Sequence, residues 1–318
     1  MKIRNCISSY CLLVGLIVLA VMPAYATFPG MNGRIIFGRF DPNLGDFVLY
    51  TANSDGTDVQ QLTHVPSHFS DWRADGNRIA FDLIDPAGNV QIATINPDGS
   101  GFQQITSGEV PSWSPDGTQI VFDYSPTAPD DPSFHTSIYL VNSDGSNPHA
   151  LTFTPDTFDV EPRFSPDGSK IVFVRIRKVA GNGFQQEAVV IMNSDGTGVR
   201  QLTSDGIAAE HPTWSPDSQW IVFNVAKESG HPAGSSLSIY LVRPDGTDQH
   251  LIYNGRANLP AHKPQFSPDG TKILFGCFSY TNGSPDICVM NADGSNVVDI
   301  ISTPNFRENF PSWGVAPE

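Results

Sequence analysis

The stretch "PSWSPDGTQIVF", Pro111 to Phe122, decides the fold because it recurs. It returns as "SDWRADGNRIAF" (Ser70–Phe81), "PRFSPDGSKIVF" (Pro162–Phe173), "PTWSPDSQWIVF" (Pro212–Phe223) and "PQFSPDGTKILF" (Pro264–Phe275). A second phrase alternates with it. It begins as "NSDGTDVQQLT" at Asn53 and has counterparts from Asn96, Asn142, Asn193, Arg243 and Asn291. The aromatic anchors Trp72, Trp113, Phe164, Trp214, Phe266 and Trp313 stand 41 to 52 residues apart. That is the period of a four-stranded propeller blade.

The local chemistry agrees. In "SPDG" the proline presets φ at the second turn position and the glycine accepts a positive φ, so the phrase reads as a hairpin turn. "IVF" is apolar at consecutive positions, as a strand covered on both faces must be. Each blade then has a strand A with the aromatic anchor, a strand B with Ile-x-Phe, a strand C before Asn-x-Asp-Gly, and an outer strand D ending in Leu-Thr. Six copies of the second phrase predict an all-β, six-bladed propeller. No long amphipathic helix pattern competes, and a pair of β-sandwiches explains no such period. High glycine (28) and proline (26) with only 16% charged residues suit many short strands and tight turns.

The two ends complete each other. "PSWGVAPE" (Pro311–Glu318) supplies a strand A and then stops, while "NGRIIFGRF" (Asn32–Phe40) is a strand B with no strand A before it. The expected ring therefore closes with one C-terminal strand and three N-terminal strands in one blade, leaving no open edge.

These phrases resemble the WD40-like PD40 repeats of the TolB propeller family, over nearly all of Gly33–Trp313. The resemblance implies a protein or peptide partner lying across the mouth of the central channel. TolB itself carries an α/β domain ahead of its propeller. Here only a few residues separate the leader from the first strand, so a role resting on that domain is not implied. Propellers of similar repeat style also precede peptidase domains, and the pectin-fragment lyases hold a metal over the channel.

Residues 1–26 read as a secretory signal peptide: basic Lys2 and Arg4, the apolar run Cys11–Met22, and the cleavage motif Ala24–Ala26. The apolar core is short for a membrane span. The domain assigned to 27–318 is then periplasmic or secreted, is not membrane-inserted, and is expected to be monomeric. Without Lys2 and Arg4, 16 basic residues face 33 acidic ones, a net charge of −17. Such a field repels phosphate backbones, which excludes nucleic acid and favours basic protein surfaces or cations.

Topology separates two faces. The A–B and C–D turns are short and uniform; the B–C and D–A loops vary, and variable loops on a rigid scaffold are where binding resides. Three B–C loops are long: Ser125–His135, Arg177–Gln186 and Lys227–Ser236. Aligning the blades on their anchors brings His68, Asp71, Glu109, Glu161, Arg163, Glu210, His211, His262, Lys263 and Asn309 to one phase at the channel mouth. Three histidines and three glutamates in this ring could hold a divalent metal, which would suit a metal-assisted polysaccharide lyase or hydrolase. A solvated polar mouth without a cofactor is the plainer expectation. No G-x-S-x-G elbow or H-E-x-x-H pair points to other catalysis. The Asn-x-Asp-Gly turns lack the glutamate of a calcium loop. A non-catalytic binding propeller is thus the leading expectation, with a metal-dependent enzyme or a structural surface protein as alternatives.

Of four cysteines, Cys277 and Cys288 remain after the leader. Placing Phe275 opposite Met290 sets Cys277 opposite Cys288, which predicts a cross-strand disulfide suited to an exported protein.

Overall fold

The computed structural model describes residues 30–126, 135–155, 157–178, 185–204, 207–226, 238–255, 261–279, 284–303 and 306–317. The expected leader, residue 27, and most of the three long B–C loops lie outside these.

Six four-stranded antiparallel sheets form the blades of a ring. Numbered from the closing blade, their inner strands are Glu308–Val315, Ser67–Trp72, Glu109–Trp113, Thr157–Phe164, Ala208–Trp214 and Ala261–Phe266. Blade 1 takes its inner strand from the C-terminus and its others from Asn32–Asp41, Asp46–Ala52 and Gln60–Gln61. Ile35 faces Trp313 and Arg39 faces Glu308 across the closure. The Arg39 side chain seals it, with Nη2 3.0 Å from Glu308 Oε1. Arg175 and Asp159 make the equivalent pair in blade 4, at 2.6 Å.

The expected turn chemistry is present. At 114–119 the Gly117 N–H donates to the Ser114 carbonyl, and the Ser114 hydroxyl donates to Asp116. The same hydroxyl accepts the Gln119 amide, so the Ser114 side chain ties the two ends of the turn together. In the C–D turns the glycine also serves a close approach. A Cβ at Gly56 or Gly294 would collide with the carbonyl of Ile300 or Ile252 in the preceding blade.

The core lies between blades. Phe37, Phe81, Phe122, Phe173, Phe223 and Phe275, the last residues of the six Ile-x-Phe triplets, are at most 1% exposed. Clusters mix neighbours: Ile36 and Leu49 of blade 1 pack with Trp72, Ile79 and Phe81 of blade 2. In blades 1, 3 and 4 the outer strand is followed by a buried threonine whose hydroxyl accepts a strand C amide: Thr63 from Leu49 at 2.8 Å, Thr152 from Ile138 and Thr203 from Val189.

The cysteine register differs from expectation. Ile273, not Phe275, faces Met290; Phe275 faces Cys288 and Cys277 faces Asp286. The offset is two residues, so both cysteines keep the same face of the sheet. They bond diagonally, with Cα atoms 5.8 Å apart. The expected register leaves Thr281–Ser284 as the loop, whereas strand C starts at Ser284, already paired with Ser279.

Candidate binding site at the channel mouth

The inner strands share a bulge ahead of the aromatic anchor. Pairing with strand B slips between Val160 and Arg163, Glu210 and Thr213, and His262 and Gln265. In five blades the second residue of the bulge precedes a proline, which has no N–H for the ladder. Those residues, Val110, Glu161, His211, Lys263 and Phe310, all have φ between 48° and 57°. A left-handed non-glycine residue is uncommon and costs on the order of 1–3 kcal/mol, and such strain collects at functional sites.

Each strained amide is held by a side chain. Val110 N–H donates to Asp82, His211 N–H to Glu161 at 3.0 Å, Lys263 N–H to Asn224 at 3.2 Å and Phe310 N–H to Asn309 at 2.8 Å. The Glu161 amide is held by Asp123. Asp82 also accepts the amides of His68 and Phe69. Asp82, Asp123 and Asn224 each follow the strand B phenylalanine, a polar residue in an apolar strand that the alignment of inner strands overlooked.

The bulge sorts the ten expected ring residues. Asp71, Glu161, Arg163, His211 and Lys263 line one cavity in the channel, of about 40 Å³. His68, Glu109, Glu210, His262 and Asn309 sit one step earlier, outside the lining of that cavity. His68 instead reaches Asp46 at 2.7 Å, and His262 packs on Gly276, where a Cβ would strike its ring. The cavity also takes Phe69 and Phe310, which share the phase and stand outside the expected polar ring. With Phe47 they form an edge-to-face aromatic group, ring centroids 5.0 to 5.2 Å apart.

Charge is divided around the mouth. The blade 3 to blade 5 side is acidic. Burial, then Glu109 and Glu161, pushes Asp123 well above the carboxylate range. Burial and its contact with Glu210 push Glu187, also unforeseen, up to about 8. Burial would raise Glu161 too, but His211, Lys263 and Arg163 outweigh it and hold Glu161 at about 2. His211 Nδ1 lies 2.7 Å from its carboxylate. The Lys263 ammonium sits 3.4 Å from the Phe310 ring centroid and 4.2 Å from that of Phe69. Burial lowers its pKa to about 7 against the pull of Glu161. Burial and Lys263 hold His262 neutral, near 3.

A carboxylate whose folded pKa is depressed stabilises the fold above its unfolded pKa and loses that contribution as pH falls through the folded one. Glu161→Gln should therefore cost up to about 3 kcal/mol at pH 7, a loss that shrinks between pH 4.5 and 2. Denaturant melts at pH 7 and pH 3 measure it, and an equal loss at both would contradict the assignment.

Among the described residues, the one group of three atoms of metal-ligand type within 4.8 Å of one another is Cys277, Cys288 and Asp299, whose cysteines are disulfide-bonded. The ring histidines and glutamates are not so gathered, and Lys263 and Arg163 occupy the cavity wall. Among the described residues no helix is long and apolar enough to cross a membrane.

A TolB homolog of Chlorobium luteolum is 28% identical over 155 residues, 48% of this chain and 31% of that protein. The structure of TolB from Acinetobacter baumannii superposes with a TM-score of 0.69 at 20% identity, covering 89% of this chain and 67% of that one. An oligogalacturonate lyase in complex with manganese superposes at 0.57 and 15% identity, covering 86% and 76%. At these identities the structures show a shared fold. The matches span 18%, 31% and 58% of three curated relatives, so the chain corresponds to part of each. The family described as TolB beta propeller domain matches residues 48–261 and 110–316, and the chain belongs to that family.

Proposed function

We propose that this protein is an exported, monomeric, non-catalytic propeller that binds a segment of a partner protein across the mouth of its channel, without a cofactor. The observation that carries this reading is the division of the mouth. Phe69 and Phe310, packed with Phe47, line one cavity together with Glu161, and the carboxyl groups of Asp82, Glu109 and Asp123 cluster beside Glu161, outside that lining. Aromatic anchors beside a charged rim suit a peptide with apolar and basic side chains. The disulfide supports an oxidising compartment, periplasmic or extracellular.

The test uses the mature chain as bait on an envelope extract beside three variants. Phe47→Ala and Glu109→Lys alter the mouth; Asp116→Lys alters the opposite, turn-bearing face. The expected result is one partner retained by the native chain and Asp116→Lys, and weakened about tenfold or more by each mouth variant. Equal retention by all four would place binding elsewhere.

A further inference from the structure

The channel cavity has a lysine and hydroxyl donors without a matching acceptor. Lys263 is clamped between the Phe69 and Phe310 rings, and among the described residues no carboxylate oxygen lies within 4.0 Å of its ammonium. The two carboxylates lining the cavity are engaged elsewhere. Glu161 holds the His211 ring at 2.7 Å and the His211 amide at 3.0 Å. Asp71 accepts the Trp113 amide at 2.9 Å and faces Arg163. Ser70 and Ser312 are also among the residues lining the cavity; they are 5% and 4% exposed, and their hydroxyl oxygens are buried without a hydrogen-bond partner. They come from the same two blades as the clamping rings. Buried hydroxyls without partners are rare and need an explanation.

We infer that this cavity binds one carboxylate, carried on the side chain or the C-terminus of the segment bound at the mouth, with Lys263, Ser70 and Ser312 as its donors. The inference rests on the proposed binding mode. The cavity, about 40 Å³, is small and can admit a group on the scale of a carboxylate. A second cation would meet Lys263 and Arg163, and an apolar group would leave both hydroxyls unpaired. The aromatic and acidic walls receive the rest of the segment, so the carboxylate gives specificity for one acidic group set among apolar and basic ones.

The probe is sodium acetate, titrated into the mature protein carrying ¹³C-labelled lysine. The Lys263 Cε signal is assigned by its loss in Lys263→Met. Acetate should shift that signal saturably, whereas acetamide and sodium chloride at matched concentration should not. Ser70→Ala/Ser312→Ala should weaken acetate binding about tenfold, the effect of two ordinary hydrogen bonds. Its melting temperature should be unchanged or higher, because neither hydroxyl bonds within the protein. A lysine signal that ignores acetate, or follows chloride or acetamide equally, overturns the inference. So does a double variant that binds acetate as well as the native chain. Acetate binding without partner capture would sink the binding mode and leave the carboxylate site; partner capture without acetate binding would do the opposite.

Discussion

Removing Pro311–Glu318 should abolish the cooperative melt of the whole ring. The segment is the last strand A, and its loss frees the edge of Asn32–Asp41 opposite it. Trp313, 5% exposed, packs with Ile35 and Phe37 of its own blade and Leu274 and Ile287 of blade 6. Its amide is held by Gln265 at 2.6 Å, and Gly314 lies against the Trp72 ring of blade 2. The strand therefore joins three blades. Truncating one buried tryptophan costs about 3–5 kcal/mol, against a whole-domain stability of about 5–15 kcal/mol. Losing the tryptophan, its ladder and both inter-blade contacts should consume that margin. Thermal melts followed by circular dichroism decide the matter. Removing only Pro317 and Glu318, beyond the strand, should leave the transition in place. A sharp native-like melt of the longer deletion would show that the ring does not need this closure.

Arg39→Met should lower the melting temperature by on the order of 10 °C at pH 7, and adding Glu308→Leu should restore most of it. In the native chain the Glu308 side chain is fully buried and Arg39 is its cationic partner, itself laid over the Tyr50 ring at 4.7 Å. Taking away the cation alone leaves a buried carboxylate uncompensated, a loss of about 3–5 kcal/mol, whereas replacing both with apolar groups is near neutral. The pH dependence follows. Burial already pushes Glu308 up despite Arg39, and without the cation it rises further. The folded state then holds the proton more tightly than the unfolded chain, so the deficit of the single variant should shrink on acidification. Equal melting of the single and double variants would remove the ion pair from the account of closure.

The blade plan was legible because it is written in short-range chemistry, repeated. Ser-Pro-Asp-Gly fixes a turn through its own atoms, and consecutive apolar residues mark a strand covered on both faces. Part of the mouth was legible too: Asp71, Glu161, Arg163, His211 and Lys263 do line one cavity. Their neighbours one step earlier do not, because a bulge inserts a residue and changes where each side chain points. Phe69 and Phe310 are not legible as site residues from charge, because their part is to hold the lysine with their rings.

The sequence by itself determined the six blades, the turn positions, the shared closing blade and the cysteine pair, each being a matter of residue type at a local spacing. Tertiary structure alone decided the strand register at Cys277, the left-handed residues, and the carboxylates of Asp82, Asp123 and Glu187 at the mouth. These depend on which groups from different blades meet around a common axis. Burial and neighbouring charge act through space there, and no spacing along one chain segment records them.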